Sequence, residues 1–149
     1  KKVAAFSRDN ARTPMQWNTG KNAGFTEGTP WLRTNPNYLR INVEAQEKDE
    51  NSVLAFYKKL IALRKSEEYK ETVVYGKLVP FMEQEKNLIG FTREGDKKLL
   101  VLANFQKEPR QVALPSEMEK LLLNNLKDLD LKDGKINMGA YQFIVLELR

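Results

Sequence analysis

From Thr72 onward the chain consists of short apolar runs separated by turn residues, a punctuation that dictates strands rather than helices. The runs are 72–75, 78–82, 87–93, 98–104, 111–114 and 141–148, and 121–124 is read as a further strand. Glu94-Gly95-Asp96-Lys97 is a short Gly-containing connection suited to an antiparallel hairpin. Leu99-Leu100-Val101-Leu102-Ala103 is apolar on both faces, which predicts a central strand. The stretch around Leu126, Leu129 and Leu131 is acidic and rich in turn residues. Together these elements predict an antiparallel β-sandwich of about seven or eight strands.

The first fifty residues have a different grammar. Thr13-Pro14, Asn18-Thr19-Gly20, Ala23-Gly24, Gly28-Thr29-Pro30 and Asn35-Pro36-Asn37 break both helical and strand periodicity. That much irregular backbone needs partners for its N–H and C=O groups, so the stretch is expected to pack on something else. A helix follows over 52–65, where Val53, Phe56, Tyr57, Leu60 and Ile61 recur at helical spacing and form a face built for burial. Residues 49–52 supply its cap, while Arg64 and Lys65 meet the dipole of its last turn. The charged run 65–71 then sets a boundary at about Lys70 to Glu71, dividing the chain into 1–70 and 71–149. The fold class expected is mainly β, a C-terminal sandwich preceded by irregular loops and one helix.

Composition removes most chemistries. The 149 residues hold no Cys and no His, which excludes a disulfide framework, thiolate metal sites, a cysteine nucleophile and Ser-His triads. The net charge of +5 comes from scattered Lys and Arg without a basic stripe interleaved with aromatics, so no nucleic-acid partner is expected. No window approaches the length of a membrane span, and the chain is expected to be soluble and cytoplasmic. Asp128, Asp130 and Asp133 do not continue to the terminal Glu of a calcium loop and read as turn residues, so neither metal nor cofactor is expected.

What remains is catalysis by paired carboxylates, Lys, Tyr or Ser, and hydrolysis by two carboxylates suits glycosides. Asp9 and Glu27 are the only acids among the first 43 residues, and nothing in their spacing brings them together. Asp9 reads more simply as a loop or cap carboxylate. The same segment nevertheless carries groups that recognise sugars. Trp17, Phe25 and Trp31 offer aromatic faces, although core packing is their simpler role, and Arg8, Asn10, Arg12 and Gln16 offer planar donors.

The eleven residues Ser7-Arg8-Asp9-Asn10-Ala11-Arg12-Thr13-Pro14-Met15-Gln16-Trp17 carry a resemblance. They are similar to the signature of the oligo-1,6-glucosidase branch of the α-amylase superfamily, glycoside hydrolase family 13. That branch includes dextran glucosidases, trehalose-6-phosphate hydrolases and sucrose isomerases. Asn22-Ala23-Gly24-Phe25-Thr26, Gly28-Thr29-Pro30-Trp31, Asn35-Pro36-Asn37-Tyr38 and the run 57–65 continue the likeness in the family's order.

The resemblance implies that 1–70 are the loop after the last strand and the final helix of a catalytic (β/α)8 barrel, and that 71–149 are the C-terminal sandwich domain. It implies a sugar-binding role for Arg8, which in the family pairs with an Asp from the start of the barrel and holds the non-reducing glucose. Arg12 is the second candidate, and a role for both arginines as loop braces stays open. The family's nucleophile, acid/base and transition-state-stabilising carboxylates all lie on earlier strands, outside these residues. The chain is therefore expected to be inactive alone, with the rest of the barrel as its partner and α-glucooligosaccharides as the parent's substrates. Exposure of the Val53, Phe56 and Leu60 stripe would favour self-association. The rival reading is a stand-alone carbohydrate-binding sandwich.

Overall fold

The computed structural model describes residues 8–149, apart from the side chains of Arg8 and Asn10. Two compact units, Lys1–Tyr57 and Lys58–Arg149, divide the chain within one helix.

In the N-terminal unit, 3-10 turns at Arg8–Ala11, Lys21–Gly24 and Pro36–Leu39 alternate with irregular backbone and lead to a short helix, α1 (Val43–Glu47). The chain then enters α2 (Val53–Lys65). Ser52 caps α2, its Oγ accepting from Ala55 N at 3.1 Å while its own hydroxyl donates to Gln46 O at 2.7 Å. The helix expected over 52–65 is thus present. Its apolar face is not buried, however: no residue of α2 is buried, and Val53, Tyr57 and Ile61 form an exposed ridge at i, i+4 and i+8.

The C-terminal unit continues with α3 (Lys70–Tyr75) and eight strands: β1 (Lys77–Phe81), β2 (Leu88–Glu94), β3 (Lys98–Asn104), β4 (Arg110–Ala113), β5 (Met118–Asn124), β6 (Leu131–Lys132), β7 (Lys135–Met138) and β8 (Phe143–Leu148). A five-stranded sheet of order β1-β2-β3-β8-β5 faces a three-stranded sheet of order β4-β7-β6, every pairing antiparallel. Leu100, Leu102, Ile144 and Leu146 from the larger sheet meet Val112, Ile136 and Met138 from the smaller, all fully buried. The mainly β sandwich is therefore present, and β3 holds the central position that its two-sided apolarity predicts.

Two expectations need correction. Residues 72–75 are helix, not strand. The β-branched run Thr72-Val73-Val74 favours extended backbone in isolation, but tertiary contacts override it. Val73 and Val74 line a cavity of about 510 Å³ against Leu99 and Val101 of β3, which α2 residues Leu60 and Leu63 also line. Buried Thr72 accepts from Lys97 N at 3.1 Å, and Gly76 N closes the helix on Glu71 O and Thr72 O. The second correction is the β6–β7 hairpin, hidden in the stretch read as turns. Its connection, Asp133-Gly134, has φ of +49° and +69°, both in the left-handed region favoured by tight hairpins.

No helix among the described residues is long and apolar enough to cross a membrane.

Candidate functional site

The irregular N-terminal segment is held together largely by its asparagines. Asn18 Oδ1 accepts from Gly20 N at 2.9 Å. Asn22 Nδ2 donates to Thr26 O and Gly28 O, both at 2.8 Å. Buried Asn42 caps α1, accepting from Ala45 N and donating to Tyr38 O, again at 2.8 Å each. The extended piece through Gln16 and Trp17 is pinned on both sides. Val43 N and Glu44 N donate to Gln16 O and Trp17 O at 3.0 Å, while Trp17 N donates to Ala23 O at 2.8 Å. Gln16 Nε2 donates to Ile41 O. The backbone groups expected to need an outside body thus find many partners inside the segment.

This scaffold presents Arg12. The 3-10 turn Arg8–Ala11 brings Arg12 N to Asp9 O at 3.0 Å, and Arg12 Nη1 lies 3.2 Å from Asp9 Oδ1. The guanidinium carbon stands 4.7 Å from the centroid of the Trp31 ring, a cation–π arrangement. Arg12 is held from two directions, yet its side chain stays 43% exposed, so the remaining N–H groups of the fork can meet a ligand. Asp9 is a loop carboxylate with a basic partner. Arg8 opens the same turn, but its side chain lies outside the described residues, as does that of Asn10.

The described residues leave the aromatics uncovered, Trp17, Phe25 and Trp31 being 49%, 45% and 68% exposed. Behind the motif lies a cavity of about 280 Å³ lined by Thr13, Met15, Gln16, Asn37, Asn42 and Gln46, among others. Asn37 Oδ1 is buried with no hydrogen-bond partner, an acceptor that a hydroxyl could satisfy. The bracing asparagines escaped the sequence reading. Asn42, set before Val43-Glu44, was legible as an N-cap; the bonds from Asn22 Nδ2 to the carbonyls of Thr26 and Gly28 follow no capping pattern and were not.

The strongest electrostatic perturbation lies in the C-terminal unit. Buried Tyr69 donates from its hydroxyl to Glu147 Oε2 at 2.8 Å, and Lys97 Nζ lies 2.5 Å from Glu147 Oε1 and 3.3 Å from Glu68 Oε1. Lys120 Nζ reaches the Tyr69 hydroxyl at 3.4 Å. Desolvation, reinforced by the Glu147 hydrogen bond, pushes the Tyr69 phenol well above its ordinary range. The Lys97 hydrogen bond holds Glu147 below the carboxylate range, and Glu147 in turn raises Lys97. These groups neutralise one another, as a structural network does, and none is left as a free acid or base. No cluster of three metal-ligating side chains occurs among the described residues.

Comparisons with known proteins agree with this organisation. Residues 1–76 match the family described as alpha amylase, catalytic domain, and residues 88–145 match the alpha-amylase SusG C-terminal domain. A probable oligo-1,6-glucosidase 2 of Bacillus subtilis is 46% identical over 139 residues, 90% of this chain and 24% of its own length. A trehalose-6-phosphate hydrolase of Escherichia coli is 37% identical, covering 95% of this chain and 26% of its own. Among solved structures, an isomaltulose synthase from Klebsiella superposes with a TM-score of 0.86 at 37% identity, over 96% of this chain and 26% of that one. The chain spans about a quarter of the length of the curated relatives it matches. With more than half of its residues matching the catalytic domain, the chain belongs to the α-amylase family.

Proposed function

We propose that the chain is the C-terminal part of an α-glucosidase that removes terminal α-1,6-linked glucose from short glucooligosaccharides. In this reading residues 1–70 complete the catalytic barrel, and 71–149 are a supporting sandwich that supplies no group to the chemistry. The observation that carries it is the braced, exposed Arg12 fork between Asp9 and Trp31, in a chain 46% and 43% identical to relatives named probable oligo-1,6-glucosidase 2 and oligo-1,6-glucosidase. Arg8 and Arg12 would hold the hydroxyls of the bound glucose, while the nucleophile and the acid come from the rest of the barrel. A positioned guanidinium can fix the sugar but cannot form or break the glycosidic bond, which needs two carboxylates about 5 Å apart. No cofactor enters this chemistry.

The test is turnover of p-nitrophenyl-α-glucoside and isomaltose by the 149-residue chain alone, then mixed with the remainder of a parent enzyme expressed separately. An inert chain and an active mixture are expected. Turnover by the chain alone would overturn the reading. The exposed ridge of Val53, Tyr57 and Ile61 supports self-association of the isolated chain. Sedimentation showing a monomer at every concentration would remove that element. A cytoplasmic location completes the reading, and cell fractionation tests it.

A further inference from the structure

We propose that one end of the sandwich, where β1 turns into β2 and the chain leaves β3, is a surface binding site for a chain of α-linked glucose units. It is distinct from the loop that carries Arg8 and Arg12. The choice of glucose rests on the α-glucosidase reading, whereas the choice of a pyranose rests on the cavity itself.

The cavity measures about 570 Å³, floored by Phe81, Leu88 and Gly90 and rimmed by Glu83, Asn87 and Phe105. That volume is ordinary for a small-molecule site of roughly 300–1,000 Å³. Phe105 is 60% exposed. A pyranose presents an apolar C–H face and a rim of hydroxyls, so it needs an aromatic face bordered by acceptors and carboxamides. Here Phe105 supplies the face, Glu83 the carboxylate and Asn87 a carboxamide whose Nδ2 is oriented by Gln106 Oε1 at 3.5 Å. A purely apolar partner would leave those polar groups desolvated without compensation.

The rim is built before any ligand arrives. Phe105 N donates to Asn87 O at 2.8 Å. Buried Asn104 braces the next turn, donating to Glu108 O at 3.0 Å and Gly139 O at 2.9 Å and accepting from Gln106 N at 3.2 Å. Glu85 pairs with Arg110, and Glu85 N donates to Met82 O at 3.0 Å, which ties down the β1–β2 turn. Met82 and Asn87 both sit at φ +60°, a conformation that surrounding contacts must enforce. Tyr141, 62% exposed at φ +52°, donates its N–H to Gln106 O at 3.1 Å and adds a second aromatic at this end. A pinned site loses little conformational freedom on binding, which favours a weakly interacting, neutral ligand.

Affinity electrophoresis of the 149-residue chain through native gels containing dextran or soluble amylose tests this. Retardation relative to a plain gel is expected. Phe105→Ala should weaken it about tenfold, the worth of one aromatic stacking contact, and Glu83→Gln about threefold. Tyr75→Ala removes an exposed aromatic on α3, away from the cavity lining, and should migrate as the parent chain. Near-ultraviolet circular dichroism verifies that each variant is folded. Unretarded migration in both polymers overturns the proposal. So does undiminished retardation of Phe105→Ala, or equal loss in Tyr75→Ala. Glucoside turnover by the reconstituted enzyme is a separate readout: its failure with retardation intact strikes the catalytic reading, and the converse strikes this site.

Discussion

The hydroxyl of Tyr69, just before α3, donates across 78 positions of sequence to Glu147 on β8, the two groups standing 2.8 Å apart and both residues buried. Lys97, in the β2–β3 connection, completes the arrangement from the other carboxylate oxygen. Three segments distant in sequence thus meet on one buried carboxylate. Replacing the charged acceptor by a neutral one forfeits two charge-assisted bonds, so Glu147→Gln should destabilise the chain by about 1–3 kcal/mol. Tyr69→Phe leaves the Lys97 pair in place and should cost about 1 kcal/mol. Urea titration followed by circular dichroism reads both, and equal stability of Glu147→Gln and the parent chain would show that the network contributes nothing.

The same network sets the pH range of stability. Hydrogen bonds from Lys97 and Tyr69 lower the Glu147 carboxyl, so its contribution is present above the unfolded value of about 4.3 and is lost as pH falls through the depressed folded value. Glu68, lowered through Tyr69 and Lys97, acts in the same direction. The phenol and the ammonium behave oppositely. Tyr69 and Lys97 are both raised, so their contribution is full below about pH 10 and declines as pH rises beyond the unfolded values. Thermal midpoints should therefore be flat from about pH 6 to pH 9 and fall on both sides. Tyr69→Phe should soften the alkaline fall, and a parent-like alkaline limb in that variant would contradict the assignment.

Two glycines in left-handed conformations should respond differently to a methyl group. Gly24 has φ +71°, and an added Cβ would lie 2.6 Å from Asn18 Nδ2, so Gly24→Ala meets both backbone strain and a clash with a loop brace. Gly134 has φ +69° with nothing within 4 Å, so Gly134→Ala meets strain alone, about 1 kcal/mol. Limited proteolysis should open the N-terminal segment in Gly24→Ala and leave the hairpin of Gly134→Ala largely resistant. Equal protection of both variants would mean that Asn18 swings aside freely.

The elements that were legible in the sequence are those whose signal is local. β3 shows its central position because Leu99–Ala103 is apolar on both sides, and Ser52 marks the start of α2. The failures are tertiary. Val73 and Val74 form a helix because a sheet face needs covering, and the strands either side of the turn residue Asp133 escape notice because they are only two and four residues long. At the candidate site the motif residues were visible as a string, but the pairing of Arg12 with Trp31, nineteen positions away, depends on the path of the loop between them. No periodicity encodes that path.

The Arg12–Trp31 contact yields the sharpest prediction for the sugar-binding reading. A guanidinium lying over an indole keeps its fork planar and oriented, while an ammonium has no plane to orient and cannot bind bidentately. In a reconstituted enzyme, Arg12→Lys should therefore raise KM for isomaltose about tenfold with a smaller change in kcat, since the loss falls on ground-state and transition-state binding alike. Trp31→Ala should move KM in the same direction by letting the guanidinium rotate away, although the indole need not touch the sugar. Asp9→Asn, which keeps the turn but removes the ion pair, should fall between the parent and Arg12→Lys. If all three variants keep the parental KM while thermal stability drops, both partners of Arg12 serve only to brace the loop, and sugar positioning passes to Arg8 alone.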